Sequence, residues 1–258
     1  MPETTHPAQL RPETDVLTRG FDPSLSVGSA RPAVFRSSTY VFSSPEAAER
    51  AFDIMGGRGH RRTPEESVDL VYSRFNHPNA QILEDQIVPL EPGATGAVVF
   101  NSGMAAIMTA LLAVMKPGDS IIYTVPIYGG TQTLIQGFLQ PFGIEGIAVP
   151  AGRSDLLDAA IRSARNLRVV LIETPANPTI VMTDIKAACQ TVASLPLGAS
   201  NGNAPERPLV MIDNTFLGPA FQHPLALGAD VSIYSATKYL GGYSDIIGGV
   251  ALTKDSTL

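Results

Sequence analysis

Residues 209–239 read LVMIDNTFLGPAFQHPLALGADVSIYSATKY, and this stretch decides the fold. It contains two short, mostly apolar runs, 209–212 and 231–234, and each is followed at once by polar residues. The first run leads to Asp213, and the second leads into a hydroxyl-rich segment that holds Lys238. An unpaired charge at the end of a buried strand is costly, so we expect Asp213 to face a cationic group. Taken alone, Asp213 is more typical of a helix cap or of a turn aspartate than of a catalytic acid, and Lys238 could be a surface lysine.

From residue 96 onward, apolar runs rich in β-branched residues alternate with helical segments. The runs are apolar throughout, which is typical of strands in a mainly parallel sheet that is covered on both faces. We therefore predict an α/β fold with a mainly parallel seven-stranded sheet, in which ligands bind at the carboxyl ends of the strands. Strands are predicted at 97–100, 120–124, 144–149, 168–173, 209–213, 231–234 and 249–253, and helices near 103–115, 130–139, 155–164 and 184–194.

The first part of the chain has a different character. Residues 1–43 show no helical period and are predicted to form an extended arm. Ser44 and Pro45 predict the cap and the first position of a short helix that runs through Ala51. We therefore predict an arm with a short helix over residues 1–60 and a large domain over residues 61–258.

The composition excludes several classes of protein. The chain has 258 residues, 44% of them hydrophobic, so it can bury a large core. A formal net charge of −6 without a basic run gives no attraction to nucleic acid or to an anionic membrane surface. The single cysteine, Cys189, allows no internal disulfide, no metal-binding motif is present, and residues 1–15 lack the apolar stretch of a signal peptide. We therefore expect a cytoplasmic protein that binds a small molecule, no metal and no membrane.

Polar residues of complementary kinds follow the predicted strands. Gly103 and Met104 begin a predicted helix, and backbone N–H groups at a helix start bind anions such as phosphate. A lysine amine shielded from water is a nucleophile toward carbonyl carbon. Pyridoxal 5'-phosphate requires a site with an amine, an acid, an aromatic ring and a group of phosphate-binding donors. We predict that Lys238 joins this cofactor as a Schiff base, that Asp213 keeps its ring nitrogen protonated and that Tyr128 stacks on its ring. The phosphate is predicted to contact Gly103, Met104, Ser235 and Thr237.

Several ordered motifs carry a resemblance to a known family. They are YSRFNHPN (72–79), NSGMAA (101–106), PIYGGT (126–131), ETPANPT (173–179), DNTF (213–216) and SATKYLGGYSD (235–245). With them the chain resembles the Cys/Met metabolism family of pyridoxal-phosphate enzymes, which includes cystathionine γ-synthase, cystathionine lyases, methionine γ-lyase and homoserine sulfhydrylases. The resemblance implies the large domain of a type I, aspartate-aminotransferase-like transferase.

The resemblance also implies roles that the pattern of residues does not show. Asn177 would lie near the phenolic oxygen of the cofactor. Tyr72 and Arg74 would reach the phosphate bound by a neighbouring subunit, so the active sites would be shared within a homo-oligomer, a dimer of dimers. The catalytic residues would be Lys238, Asp213, Tyr128 and Tyr72.

The implied function is an enzyme of sulfur amino-acid metabolism that performs β- or γ-elimination or γ-replacement. Its substrates would be cystathionine, methionine or an activated homoserine, with Lys238 moving the α proton. Gly130 stands where methionine γ-lyases carry a cysteine, and the loop at 56–67 is similar to a cystathionine γ-synthase-like subgroup.

A second hypothesis is a truncated cofactor-binding fragment without efficient turnover. The chain ends at Leu258, where the family continues into a smaller C-terminal domain that supplies the arginine for the substrate carboxylate. We expect none of the downstream arginines to replace it. They are Arg153, Arg162, Arg165, Arg168 and Arg207. A third hypothesis, a nicotinamide-dependent dehydrogenase, fails because no GxGxxG turn follows a predicted strand.

Overall fold

The computed structural model describes residues 11–17, 19–59, 69–196, 207–255 and 258. The chain divides into two compact units, the first ending at Gln86 and the second beginning at Ile87. The domain boundary predicted at 60–61 lies outside the described residues, as do most of the loops expected at 56–67 and 197–207, and that division of the chain stays a prediction.

The first unit contains helices α1 (Pro12–Asp15) and α2 (Pro45–Met55), and α3 (Pro78–Ile87) ends at the unit boundary. Ser44 caps α2 as predicted, because its hydroxyl accepts a hydrogen bond from the backbone N–H of Ala47 over 3.2 Å. This helix continues beyond the predicted end at Ala51, since no helix breaker precedes Gly56. The predicted arm is not extended throughout. The helix α1 and a short 3₁₀ helix, Pro23–Ser26, each begin at a proline, which suits the first helical position.

The second unit contains a seven-stranded sheet in the order β1-β7-β6-β5-β4-β2-β3. Its strands are β1 (Gly96–Phe100), β2 (Ser120–Val125), β3 (Glu145–Pro150), β4 (Leu167–Glu173), β5 (Leu209–Asp213), β6 (Val231–Tyr234) and β7 (Gly249–Thr253). Strand β7 pairs antiparallel with both β1 and β6, and the other pairs of described strands are parallel. The predicted mainly parallel sheet is confirmed.

Helices connect the strands of this sheet. They are α4 (Gly103–Val114), α5 (Gly129–Thr133), α6 (Ser154–Ser163), α7 (Ile185–Ala193) and α8 (Gly218–Phe221), with a 3₁₀ turn at Val88–Leu90. The single helix predicted at 130–139 is wrong in detail, because α5 passes into a π-helical segment at Leu134–Leu139. A π-helix takes an extra residue into each hydrogen-bonded turn, and hydrophobic spacing does not reveal this change. Among the described helices, none is long and apolar enough to cross a membrane.

The two faces of the sheet pack against different helices. Met211 and Ile233 share a buried cluster with Leu111 of α4. Their sequence neighbours Ile212 and Tyr234 belong to a second cluster, with side chains of α6 and α7. This arrangement follows from the alternation of side chains along a strand. We call the side covered by α4 the front face and the side covered by α6 and α7 the back face.

Candidate functional site

A cavity of about 640 Å³ lies at the carboxyl ends of β4, β5 and β6, beside the start of α4. This is the edge where the sequence predicts a ligand. The cavity wall contains many of the residues that the sequence singled out. They are Gly103, Met104, Tyr128, Asn177, Asp213, Ser235, Thr237 and Lys238. Their roles toward a cofactor stay predictions.

Asp213 is the last residue of β5 and is 8% exposed. Its Oδ1 accepts hydrogen bonds from the backbone N–H of Thr215 over 3.1 Å and from the Thr215 hydroxyl over 2.5 Å. Burial raises the pKa of the Asp213 carboxyl, and the Thr215 hydrogen bonds act in the opposite direction. The ion pairs among the described residues do not include Asp213. The cationic partner expected for this acid is therefore not found among the ion pairs of the described residues.

Glu173 is a site residue that sequence reasoning missed. It ends β4, stands opposite Asp213 in the strand register and is 3% exposed. Its two oxygens accept hydrogen bonds from backbone N–H groups, Oε2 from Tyr128 over 2.8 Å and Oε1 from Asn177 over 2.6 Å. Burial raises the pKa of Glu173 to about 7, and the nearby Asp213 carboxylate adds to the rise. One acid thus holds two segments of the cavity wall. The sequence does carry one sign of this role, because Glu173 is an acid at the end of a predicted strand.

Thr215 is a second missed residue. Its hydroxyl donates to Asp213 and accepts a hydrogen bond from the backbone N–H of Ser235 over 2.8 Å. The side chain therefore connects the acid at the end of β5 with the predicted phosphate segment after β6. A hydroxyl two residues after an aspartate is typical of a local turn, which is why the sequence alone did not mark it as part of the site.

The start of α4 and Ser235 approach each other closely. Ser102 caps the helix, since its hydroxyl accepts a hydrogen bond from the backbone N–H of Ala105 over 3.1 Å. A Cβ atom added at Gly103 would lie 2.7 Å from the Cβ of Ser235, so only glycine fits there without a shift. Because the first N–H groups of a helix have no partner within it, this corner can bind an anion.

The segment after β6 is held in a tight turn. The Thr237 hydroxyl donates to the carbonyl oxygen of Gly248 over 3.2 Å and accepts from its N–H over 3.0 Å, which fixes the turn beside β7. The backbone N–H of Lys238 donates to the carbonyl oxygen of Ser235 over 3.0 Å. The Lys238 side chain lies on the cavity wall but is exposed. The expected shielding of the Lys238 side chain from water is therefore not found among the described residues.

Tyr72 and Arg74 belong to the first unit. Tyr72 forms an antiparallel bridge with Thr39. The guanidinium carbon of Arg74 lies 5.0 Å from the centre of the Tyr72 ring and 5.2 Å from that of Phe75, in the range of cation–π contacts. Their action across a subunit boundary stays a prediction.

The downstream arginines do not line the cavity. Among the described lining residues, Lys238 is the only cation. Several of these arginines are held in ion pairs elsewhere, namely Arg153 with Asp155, Arg162 with Asp158 and Arg207 with Asp230. That none of them clamps a substrate carboxylate stays a prediction.

The chemical groups on the cavity wall fit pyridoxal 5'-phosphate. A buried acid without a cationic partner suits a protonated ring nitrogen, an amine on the wall suits the carbonyl carbon, and the corner at Gly103 and Ser235 suits a phosphate. Tyr128 and Asn177 lie on the same wall, both held by Glu173. The fold and this site together define the large domain of a type I pyridoxal-phosphate enzyme.

The comparisons with known proteins lead from this class to a family. A model of the Cys/Met metabolism PLP-dependent enzymes matches residues 13–258, and the chain belongs to this family. Pyridoxal 5'-phosphate is therefore confirmed as the family's cofactor. The chain is 34% identical over 227 residues to the L-methionine gamma-lyase of Fusobacterium nucleatum, covering 88% of this chain and 51% of that protein.

Two further relatives cover almost the whole chain. The cystathionine gamma-synthase of Mycobacterium bovis is 34% identical over 256 residues, covering 99% of this chain and 58% of that protein. The crystal structure of metB from Corynebacterium glutamicum superposes with a TM-score of 0.79 at 30% identity, covering 98% of this chain and 57% of that one. The chain thus spans a little over half the length of these relatives.

Replacing Gly103 by alanine is expected to weaken cofactor binding about tenfold or more, because the new methyl group displaces Ser235 from the anion corner. A titration of the protein with pyridoxal 5'-phosphate, followed by absorbance, measures the effect. Gly129→Ala is the matched control, since an added Cβ at Gly129 meets nothing within 4 Å. Equal affinities of the two variants for pyridoxal 5'-phosphate would contradict the prediction that the corner at Gly103 and Ser235 binds the phosphate.

Proposed function

We propose that the chain is the cofactor-binding part of a pyridoxal-phosphate enzyme of sulfur amino-acid metabolism, similar to cystathionine γ-synthase. The reaction is β- or γ-elimination or γ-replacement on cystathionine, methionine or an activated homoserine. The observation that carries this proposal is one cavity that combines an amine, an unpaired buried acid, an aromatic ring and an anion corner. Its residues are Lys238, Asp213, Tyr128, Gly103 and Ser235.

The residues divide the chemical work between them. When bound, pyridoxal 5'-phosphate supplies an electron sink for the negative charge that develops at the α carbon of the substrate. Asp213 holds a proton at the ring nitrogen by its charge. The Lys238 amine removes the proton from the α carbon and returns it to the substrate. Glu173 fixes the backbone of Tyr128 and Asn177, which keeps both side chains at the cavity.

Gly130 favours the synthase-like subgroup over methionine γ-lyase. A Cβ atom added at Gly130 would lie 2.6 Å from the Tyr128 ring and 3.1 Å from the sulfur of Met104. A cysteine at this position would therefore displace the ring from its place on the cavity wall. The relatives named as a lyase and as a synthase both support the broader reaction class.

The decisive experiment is a visible spectrum of the purified chain with cofactor, followed by keto-acid assays with cystathionine, methionine and acyl-homoserines. A new visible band that responds to one of these amino acids is expected. A chain that binds no cofactor would contradict the proposal.

A fragment without efficient turnover is the second candidate. It is favoured by the lack of any arginine among the described residues that line the cavity, since a bidentate arginine is the usual clamp for a substrate carboxylate. In this case the cofactor band forms but keto acid is released only slowly. Ordinary lyase or synthase rates from the 258-residue chain would exclude this candidate.

We propose further that the protein is a cytoplasmic homotetramer with shared active sites, in which Tyr72 and Arg74 reach a neighbouring subunit's phosphate. With cofactor present, light scattering is expected to give four times the chain mass of 27.3 kDa. Removing the cofactor is expected to shift the protein toward smaller species. A stable monomer that retains the cofactor tightly would contradict this arrangement.

A further inference from the structure

Buried polar side chains lie on the back face of the sheet, behind the cavity residues. Glu91 and Tyr234 are each 1% exposed, and Asn214 is 0% exposed. Asn214 directly follows Asp213, and Tyr234 directly precedes Ser235. Successive residues of a strand point to opposite faces of the sheet. Asn214 and Tyr234 therefore belong to the same strand ends as Asp213 and Ser235 but point away from the cavity. We call Glu91, Tyr234, Asn214 and Gln222 the back-face network.

Hydrogen bonds connect the network without a break. The Tyr234 hydroxyl donates to Oε2 of Glu91, and Nδ2 of Asn214 donates to the Tyr234 hydroxyl over 3.1 Å. Nε2 of Gln222 donates to Oδ1 of Asn214 over 2.8 Å and to the carbonyl oxygen of Thr174 over 2.9 Å. Because Thr174 follows Glu173, the network joins the ends of β4, β5 and β6.

Neutral groups donate the hydrogen bonds to the acid of the network, and His223 lies near enough to interact electrostatically with it. Glu91 also accepts from the backbone N–H of Leu225 over 3.2 Å and from the Ser232 hydroxyl over 3.3 Å. Burial raises the pKa of Glu91, partly offset by the Tyr234 hydrogen bond. Burial also raises the pKa of the Tyr234 phenol, and the Glu91 carboxylate adds to this rise. The phenol therefore keeps its proton and remains a donor to Glu91.

We propose that the back-face network positions the cofactor site by fixing the strand ends that carry Asp213 and Ser235. This inference rests on the proposed function. A buried donor or acceptor that loses its partner is costly, so the network has one favourable arrangement and the strand ends share it. Without the Tyr234 hydroxyl, Glu91 and Asn214 lose a common partner, and both strand ends can shift. Glu91, Tyr234, Asn214 and Gln222 are positioning residues in this account, since none of them lines the cavity.

The test compares Tyr234→Phe with Tyr123→Phe in the full chain. Tyr123 is also 1% exposed, its hydroxyl accepts one side-chain hydrogen bond, from Gln136 over 3.0 Å, and it belongs to the front-face cluster. Tyr234→Phe is expected to raise the dissociation constant for pyridoxal 5'-phosphate about tenfold, and Tyr123→Phe less than about twofold. The pH at which the visible band of the bound cofactor changes is expected to move by about half a unit in Tyr234→Phe only.

Equal dissociation constants and equal pH midpoints in the two variants would overturn the inference, even if both lower the thermal stability. Should Tyr234→Phe fail to fold, Gln222→Ala decides the matter, because it cuts the link between the ends of β4 and β5 at a partly exposed side chain. Gln222→Ala is expected to raise the dissociation constant for pyridoxal 5'-phosphate and to shift the pH midpoint of the visible band in the same direction as Tyr234→Phe. A wild-type chain that binds no cofactor would instead defeat the proposed function, so the two failures are distinct.

Discussion

Lys238→Ala is expected to abolish the cofactor that borohydride fixes covalently to the protein. Reduction turns the reversible bond between the amine and the cofactor carbonyl carbon into a stable one, and a methyl group cannot form this bond. Lys238 is the only lysine among the described residues that line the cavity. Mass spectrometry of peptides from the reduced protein should therefore show the adduct on Lys238 in the wild type and on no peptide of the variant.

Lys254→Ala is the matched control. The Lys254 amine donates to the carbonyl oxygen of Gly228 over 3.2 Å and does not line the cavity, so this variant should retain the full adduct. An adduct on Lys186 or Lys254 of the wild-type protein would refute the assignment.

Asp213→Asn is expected to lower the rate of α-proton exchange of a bound amino acid on the order of 10²-fold or more. The amide has the shape of the acid but no charge to hold the proton at the ring nitrogen, so the electron sink weakens. Exchange of the α proton with deuterium, followed by magnetic resonance, measures this step separately from later ones. The protein in its natural form is the material of choice, since the chain spans only 51% of the lyase relative and 58% of the synthase relative.

Asp230→Asn provides the comparison for Asp213→Asn. Asp230 is 4% exposed and pairs with Arg207 over 2.6 Å, outside the cavity. This variant is expected to lose stability while the exchange rate of the folded protein stays unchanged. Full activity of Asp213→Asn would remove Asp213 from the mechanism.

The strands were predictable because buried parallel strands are apolar throughout, and Asp213 and Lys238 were recognisable as polar residues that follow such strands. Glu173 also ends such a strand, but its role depends on two backbone N–H groups, of Tyr128 and Asn177, that only the fold brings to its carboxylate. The back-face network was hidden for a similar reason. Tyr234 reads as an ordinary buried aromatic residue until the fold places Glu91 beside it.

Other differences arise from local backbone geometry and from exposure. The π-helical segment at Leu134–Leu139 has the apolar spacing of a helix, so its wider turn left no mark in the sequence. The two proline-led turns before residue 43 are too short to show a period. The exposure of Lys238 depends on how the cavity wall is shaped, which residue types alone do not determine.

Glu173 and Asp213 face each other at the ends of β4 and β5, and we expect them to make the stability of the fold depend on the cofactor. The fold raises the pKa of Glu173 from 4.5 to about 7, so its contribution to stability is complete below about pH 4.5 and is lost as the pH rises through 7. At neutral pH the cofactor-free protein therefore loses part of this stability, and under the proposed function a cationic ring nitrogen beside Asp213 would offset the loss. A ligand that binds only the native state adds to the free energy of unfolding. We therefore expect the lifetime of this protein in a cell to follow the concentration of its vitamin-derived cofactor.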